Sequence, residues 1–85
     1  AASDYVDLFP NPGDGRFSIR FGDWLEGNYD IEVNNLLGQE VYRSRLKTAG
    51  SETISFDLSF LKNGLYFLTL KNENLKKDFK VIVSR

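Results

Sequence analysis

The chain is 85 residues long, with a formal net charge of −1, 41% hydrophobic and 14% aromatic residues, and neither cysteine nor histidine. Without cysteine there is no disulfide framework or thiolate chemistry, and without histidine the commonest metal ligand and general base are missing. The balanced charge makes no electrostatic case for nucleic acid, and no segment reaches the roughly 20 apolar residues of a membrane-spanning helix.

This length predicts one domain over residues 1–85, burying only about 60–65% of the surface its unfolded chain exposes. Seven Phe, four Tyr and one Trp supply bulky core groups without disulfides. The first strand is predicted at residues 5–9, closed by Pro10, Asn11, Pro12, Gly13, Asp14 and Gly15. Phe17, Ile19 and Phe21 alternate with Arg16, Ser18 and Arg20, the period-two signature of a half-buried strand. Residues 22–28 connect it to the next strand, with Trp24 and Leu25 expected to fold back on the core.

Tyr29, Ile31 and Val33 repeat the alternation, and Asn35 to Gly38 make a turn with Leu36 or Leu37 expected to cap the sandwich end. In residues 40–46, Val41 and Tyr42 cannot both face inward without a bulge. Ile54, Phe56 and Leu58 alternate next, and residues 57–61 suggest one helical turn with Asp57 or Ser59 as N-cap. Asn63-Gly64 leads into residues 65–71, apolar at nearly every position and so expected to be covered on both faces. Phe79, Val81 and Val83 alternate with Asp78, Lys80 and Ser84 in the last strand, with Ile82 on the other side. Seven short strands without a long helix predict an all-β, immunoglobulin-like antiparallel β-sandwich, with a small Greek-key barrel as the alternative.

Three glycine-anchored blocks stand out. Pro10 and Pro12 fix φ and press Phe9 and Asn11 toward extended geometry, while Asn11 can bond its own backbone. Leu36-Leu37-Gly38-Gln39-Glu40-Val41-Tyr42 reads as a hairpin turn running into a strand. Asn63-Gly64-Leu65-Tyr66 is a turn feeding another strand, with the Tyr66 hydroxyl expected at the rim of the core. The tail is locally basic: Lys71, Lys76, Lys77, Lys80 and Arg85 oppose only Glu73 and Asp78.

These blocks, in this order, resemble the type A C-terminal sorting domain of the type IX, or Por, secretion system of Bacteroidota. The resemblance covers roughly residues 8–85. It falls on Pro10, Asn11, Pro12 and Gly15, on Leu36, Leu37, Gly38, Gln39 and Val41, on Gly64 and Tyr66, and on Lys80, Val81, Val83 and Arg85. Asn34 stands where the family often has an aromatic residue. Lys62 stands where it often has proline, which implies a looser loop before Gly64.

The resemblance implies a secretion signal without enzymatic activity or cofactor, carried behind a cargo domain to the cell surface or medium by way of the periplasm. Its implied partners are the outer-membrane translocon and shuttle proteins of the system and a sortase-like protease that removes the domain. Nucleic acid is not among them.

Catalytic readings find little support. Asp14, Asp23, Glu26, Asp30 and Glu32 read as solvated strand and loop positions, and no serine sits in a nucleophile elbow. The competing non-catalytic reading is a carbohydrate-binding or spacer module, with Trp24, Tyr29 and Tyr42 as a stacking platform. On the last strand, Lys80 and Arg85 are expected to point outward from an open sheet edge that a receptor reads by strand addition. The competing account of those lysines is protection against aggregation.

Overall fold

A computed structural model of the chain describes residues 6–22 and 25–85. The strands are β1 (Val6–Phe9), β2 (Arg16–Phe21), β3 (Gly27–Asn34), β4 (Glu40–Thr48), β5 (Thr53–Asp57), β6 (Gly64–Lys71) and β7 (Lys76–Val83). One sheet has the order β1-β2-β5 and the other β4-β3-β6-β7, with every strand pair antiparallel. The chain changes sheet after β2, β4 and β5, the Greek-key connectivity of an immunoglobulin-like sandwich. The expectations for Tyr5, Asp23 and Trp24 lie outside the described residues.

Period-two alternation builds the core. Phe17, Ile19 and Phe21 of β2 face Tyr29, Ile31 and Val33 of β3, Leu68 and Leu70 of β6, and Val81 and Val83 of β7, all buried. Each such side chain contributes about 1.5–3 kcal/mol on burial. Leu25 folds back on this core as expected. Ile54, Phe56 and Phe79 also point inward, but they are only half-buried because β5 and β7 are edge strands. Phe56 leans on Phe17 with ring centroids 6.3 Å apart.

Three local expectations need correction. β6 is central in its sheet, yet only Tyr66, Leu68 and Leu70 are buried; Leu65, Phe67 and Thr69 lie on the outer face. Apolar content suggested two covered faces, but no third layer of described residues packs outside this sheet, and Phe67 is 41% exposed. Residues 57–61 form a single turn rather than a helix, closed by the Leu61 N–H on the Leu58 carbonyl and capped by the Asp57 carboxylate on the Ser59 N–H. Leu36 and Leu37 do not cap the sandwich; they are 66% and 84% exposed. The β4 bulge does form. Val33 pairs with Tyr42 and Asn34 with Glu40, leaving Val41 as the extra residue.

Antiparallel register sorts the connections onto two poles. Residues 10–15, 35–39 and 58–63, together with Ser84 and Arg85, gather at one pole. The opposite pole carries residues 25–26, 49–52 and 72–75 and the start of β1, where Val6 pairs with Phe21.

Candidate functional site

The pole that collects residues 10–15, 35–39 and 58–63 carries all three glycine blocks and is built by contacts between distant parts of the chain. Asn11 does not bond its own backbone. Its amide donates to the Lys80 carbonyl, and its side-chain oxygen accepts the Ile82 N–H at 2.9 Å. Gly13 continues the contact: its N–H donates to the Ile82 carbonyl at 3.0 Å, and its carbonyl accepts the Ser84 N–H at 2.8 Å. A single parallel bridge therefore joins Gly13 to Val83.

This narrows the open edge expected for the tail: β7 is an edge strand, but Asn11 and Gly13 occupy the carbonyls of Lys80 and Ile82 and the N–H groups of Ile82 and Ser84. Pro10 and Pro12 flank this strap and are exposed. Both carry cis peptide bonds.

The second block forms a rigid, outward turn. The Asn35 N–H donates to the Gln39 carbonyl, and the Gly38 N–H to the Asn35 carbonyl. The Asn35 side-chain oxygen accepts the N–H groups of Leu37 and Gln39, while its amide donates to the Gln39 side chain. Gly38 has φ +82°, a conformation that disfavours a Cβ. The turn thus fixes Leu36 and Leu37 in solvent, and Val41 rests half-buried at the base of the hairpin.

The third block and the chain's basic end lock one another. The Tyr66 hydroxyl donates to the Lys62 carbonyl at 2.8 Å, the tyrosine-corner arrangement of immunoglobulin-like sandwiches. The rim position expected for this hydroxyl is observed, with the residue only 8% exposed. Arg85 folds back instead of pointing outward. Its guanidinium donates to the carbonyls of Leu61 and Ser59, and its N–H donates to the Asn63 side chain at 3.2 Å.

The loop before Gly64 is accordingly held tightly despite Lys62, against the looser loop that residue implied. Gly15 seals the arrangement. Its carbonyl accepts the Leu58 N–H, and a Cβ on it would lie 2.6 Å from the Ser59 Cα at φ +118°. Gly64 opens β6 opposite Val83.

The Ser59 hydroxyl and N–H hold the Asp57 carboxyl below its ordinary value, helped by Arg16 and Arg85. On the outer face, Arg43 pairs with Glu32 and Glu40, Lys71 with Glu32, and Arg45 with Asp30. The Lys71 partner, followed by Arg43, pulls the Glu32 carboxyl down. The exposed large apolar residues, Leu36, Leu37, Phe60, Phe67 and Ile82, all sit on the motif-pole half of the described chain.

Sequence reasoning placed the glycines, Tyr66 and the outward Ile82 but missed Phe60 and Phe67 as surface groups. Strict alternation from Tyr66, Leu68 and Leu70 marks Phe67 as outward, and the same count from Val81 and Val83 marks Ile82. Val81 and Val83 themselves belong to the core.

The stacking platform does not form. Tyr29 is buried, with its hydroxyl on the Leu25 carbonyl, and Tyr42 lies against Phe60 with centroids 6.0 Å apart.

No curated protein matches the chain. Residues 7–84 match the family described as "Secretion system C-terminal sorting domain", the sorting domain of type IX secretion, which is not a catalytic family. That match covers all seven strands except Val6 of β1, and all three glycine blocks, and the chain belongs to this family.

Proposed function

We propose that this chain is the address label of a larger exported protein, and that its motif pole is the surface the export machinery reads. The cargo domain joins ahead of Val6, at the pole remote from the glycine blocks. Outer-membrane translocon and shuttle proteins of the type IX system engage the motif pole. A sortase-like protease then separates domain from cargo, which ends at the cell surface or in the medium after passing the periplasm.

One observation carries this reading. Asn11, Gly15, Gly38, Gly64, Tyr66 and Arg85 come from segments far apart in sequence, yet they all lie at the pole opposite the start of β1. A carrier protein attached at Val6 leaves that pole unobstructed.

The test fuses the domain behind a fluorescent protein directed to the periplasm, in a host with a type IX system and in a sibling lacking its translocon. Fluorescence should reach the surface or medium only in the first host. Equal periplasmic retention in both, with a known sorting domain exported alongside, defeats the reading.

A further inference from the structure

We infer that the domain docks on a protein partner through the motif-end half of the outer face of β4-β3-β6-β7, with Phe67 and Ile82 as apolar contacts and Lys80 pairing with a partner carboxylate. The inference rests on the sorting reading only in taking that partner to be an outer-membrane component of the export system.

The outer face has two unlike halves. Its ion pairs, Arg43 with Glu32 and Glu40, Lys71 with Glu32 and Arg45 with Asp30, lie on β3, β4 and the end of β6, and no large hydrophobic group among the described residues is exposed toward the opposite pole. Toward the motif pole, register sets Leu65 beside Ile82 and Phe67 beside Lys80. Phe67 is 41% and Ile82 36% exposed. Lys80 forms no ion pair with any described residue. An unpaired lysine bordering exposed apolar side chains calls for a surface that is apolar with an acid at its margin.

Backbone geometry disfavours strand addition at the motif end of this strand. Asn11 and Gly13 occupy both outward backbone groups of Ile82 and the Lys80 carbonyl, so at this end β7 offers its side chains. The same bonds hold those two residues in place. An immobilised contact surface loses little entropy on binding, which favours affinity from a small patch.

The charges speak against a second copy. The acids of this face are already engaged, Glu32, Glu40 and Asp30 in ion pairs and Asp78 by the Thr69 hydroxyl, so a second copy brings Lys80 no free carboxylate.

The test uses the cargo fusion with the double variant Phe67→Thr/Ile82→Thr and the single variants Lys80→Gln, Lys80→Glu and Lys80→Arg. The Lys80 variants should melt near the parent, whereas the double variant, whose two side chains are more than half covered, should melt lower, so its export is read at a temperature where its purified domain is folded. Export should fall about tenfold or more for the double variant, as expected on losing central anchors. It should drop for Lys80→Gln, drop further for Lys80→Glu, and persist for Lys80→Arg.

Parental export by the double variant and by Lys80→Glu overturns the docking face while leaving the sorting reading intact. Failure of the unaltered fusion to leave the periplasm strikes the sorting reading itself, and the partner assignment falls with it. Should the double variant misfold, Lys80→Glu against Lys80→Arg decides alone. Two further results overturn the protein partner: dimerisation of the purified domain that the double variant abolishes, and flotation with phosphatidylglycerol vesicles that the variants abolish.

Discussion

The Arg85 guanidinium reaches the Leu61 carbonyl at 2.8 Å, binding the end of the chain to the turn between β5 and β6 across 24 residues of sequence. The same group also donates to the Ser59 carbonyl. Arg85 is therefore a structural clasp, although a basic terminal residue reads in sequence as a free surface charge. Charged donors to backbone contribute about 1.5–3 kcal/mol when sheltered, and solvent at this exposed site reduces that.

Arg85→Gln should lower stability by about 1–2 kcal/mol, or some 4–15 °C in melting temperature for a domain this small. Lys80→Gln, without any ion pair to lose, should change it by less than about 0.5 kcal/mol. Thermal melts of the two purified variants check the contrast. Equal, negligible shifts would remove the clasp.

Tyr66→Phe tests the corner at the start of β6. The ring stays buried, and only the hydroxyl on the Lys62 carbonyl is deleted. A loss of about 1–2 kcal/mol in urea unfolding, with an unchanged m-value, is expected. Amide exchange should quicken in residues 58–63 before it does in β2 or β3.

Gly15→Ala is the harshest single change at the motif pole. Its Cβ would meet the Ser59 backbone at 2.6 Å, and φ +118° is strained for any L-residue. Destabilisation of about 2–4 kcal/mol should follow, measured by the same unfolding assay. Gly38→Ala has open space around it and should show the backbone strain alone, so its loss should be smaller.

Acid should weaken the fold through three carboxylates. Lys71 and then Arg43 depress Glu32; the Thr48 hydroxyl and then the Ala49 N–H depress Glu52; Ser59 depresses Asp57. Their folded values lie below the unfolded values of about 4. The stability they supply is therefore complete above that range and is lost as pH falls through the folded values. Melting temperature should be flat from about pH 7 to 5 and decline below about pH 4. Glu52→Gln should melt lower than the parent at neutral pH and decline less steeply in acid.

Sequence alone made the architecture legible because alternation is local. Phe17, Ile19 and Phe21 announce their face, as do Tyr29, Ile31 and Val33, and the Val41–Tyr42 conflict correctly demanded a bulge. Composition misled in β6, where a run of apolar residues concealed that Phe67 lies on the solvent-facing side of its sheet. The site was legible as blocks but not as contacts. Asn11 meets Lys80 and Ile82 from 69 and 71 residues away, and no local pattern announces a side-chain amide standing in for a neighbouring strand. The same distance hid that Arg85 folds inward and that β7 presents its face, rather than its edge, at the motif end.

The central claim, that the motif pole is what the export machinery reads, is tested most directly by changing that pole without disturbing the fold. Leu36→Ser/Leu37→Ser alters two side chains that are 66% and 84% exposed on a turn held by Asn35. Arg45→Gln, toward the opposite pole, removes one exposed ion pair with Asp30 and serves as the control. The measurement is the exported fraction of a fused fluorescent cargo for each variant, at matched melting temperature. The account predicts near-parental export for Arg45→Gln and a loss of about tenfold or more for the leucine pair. Equal export of both variants at the parental level would contradict it.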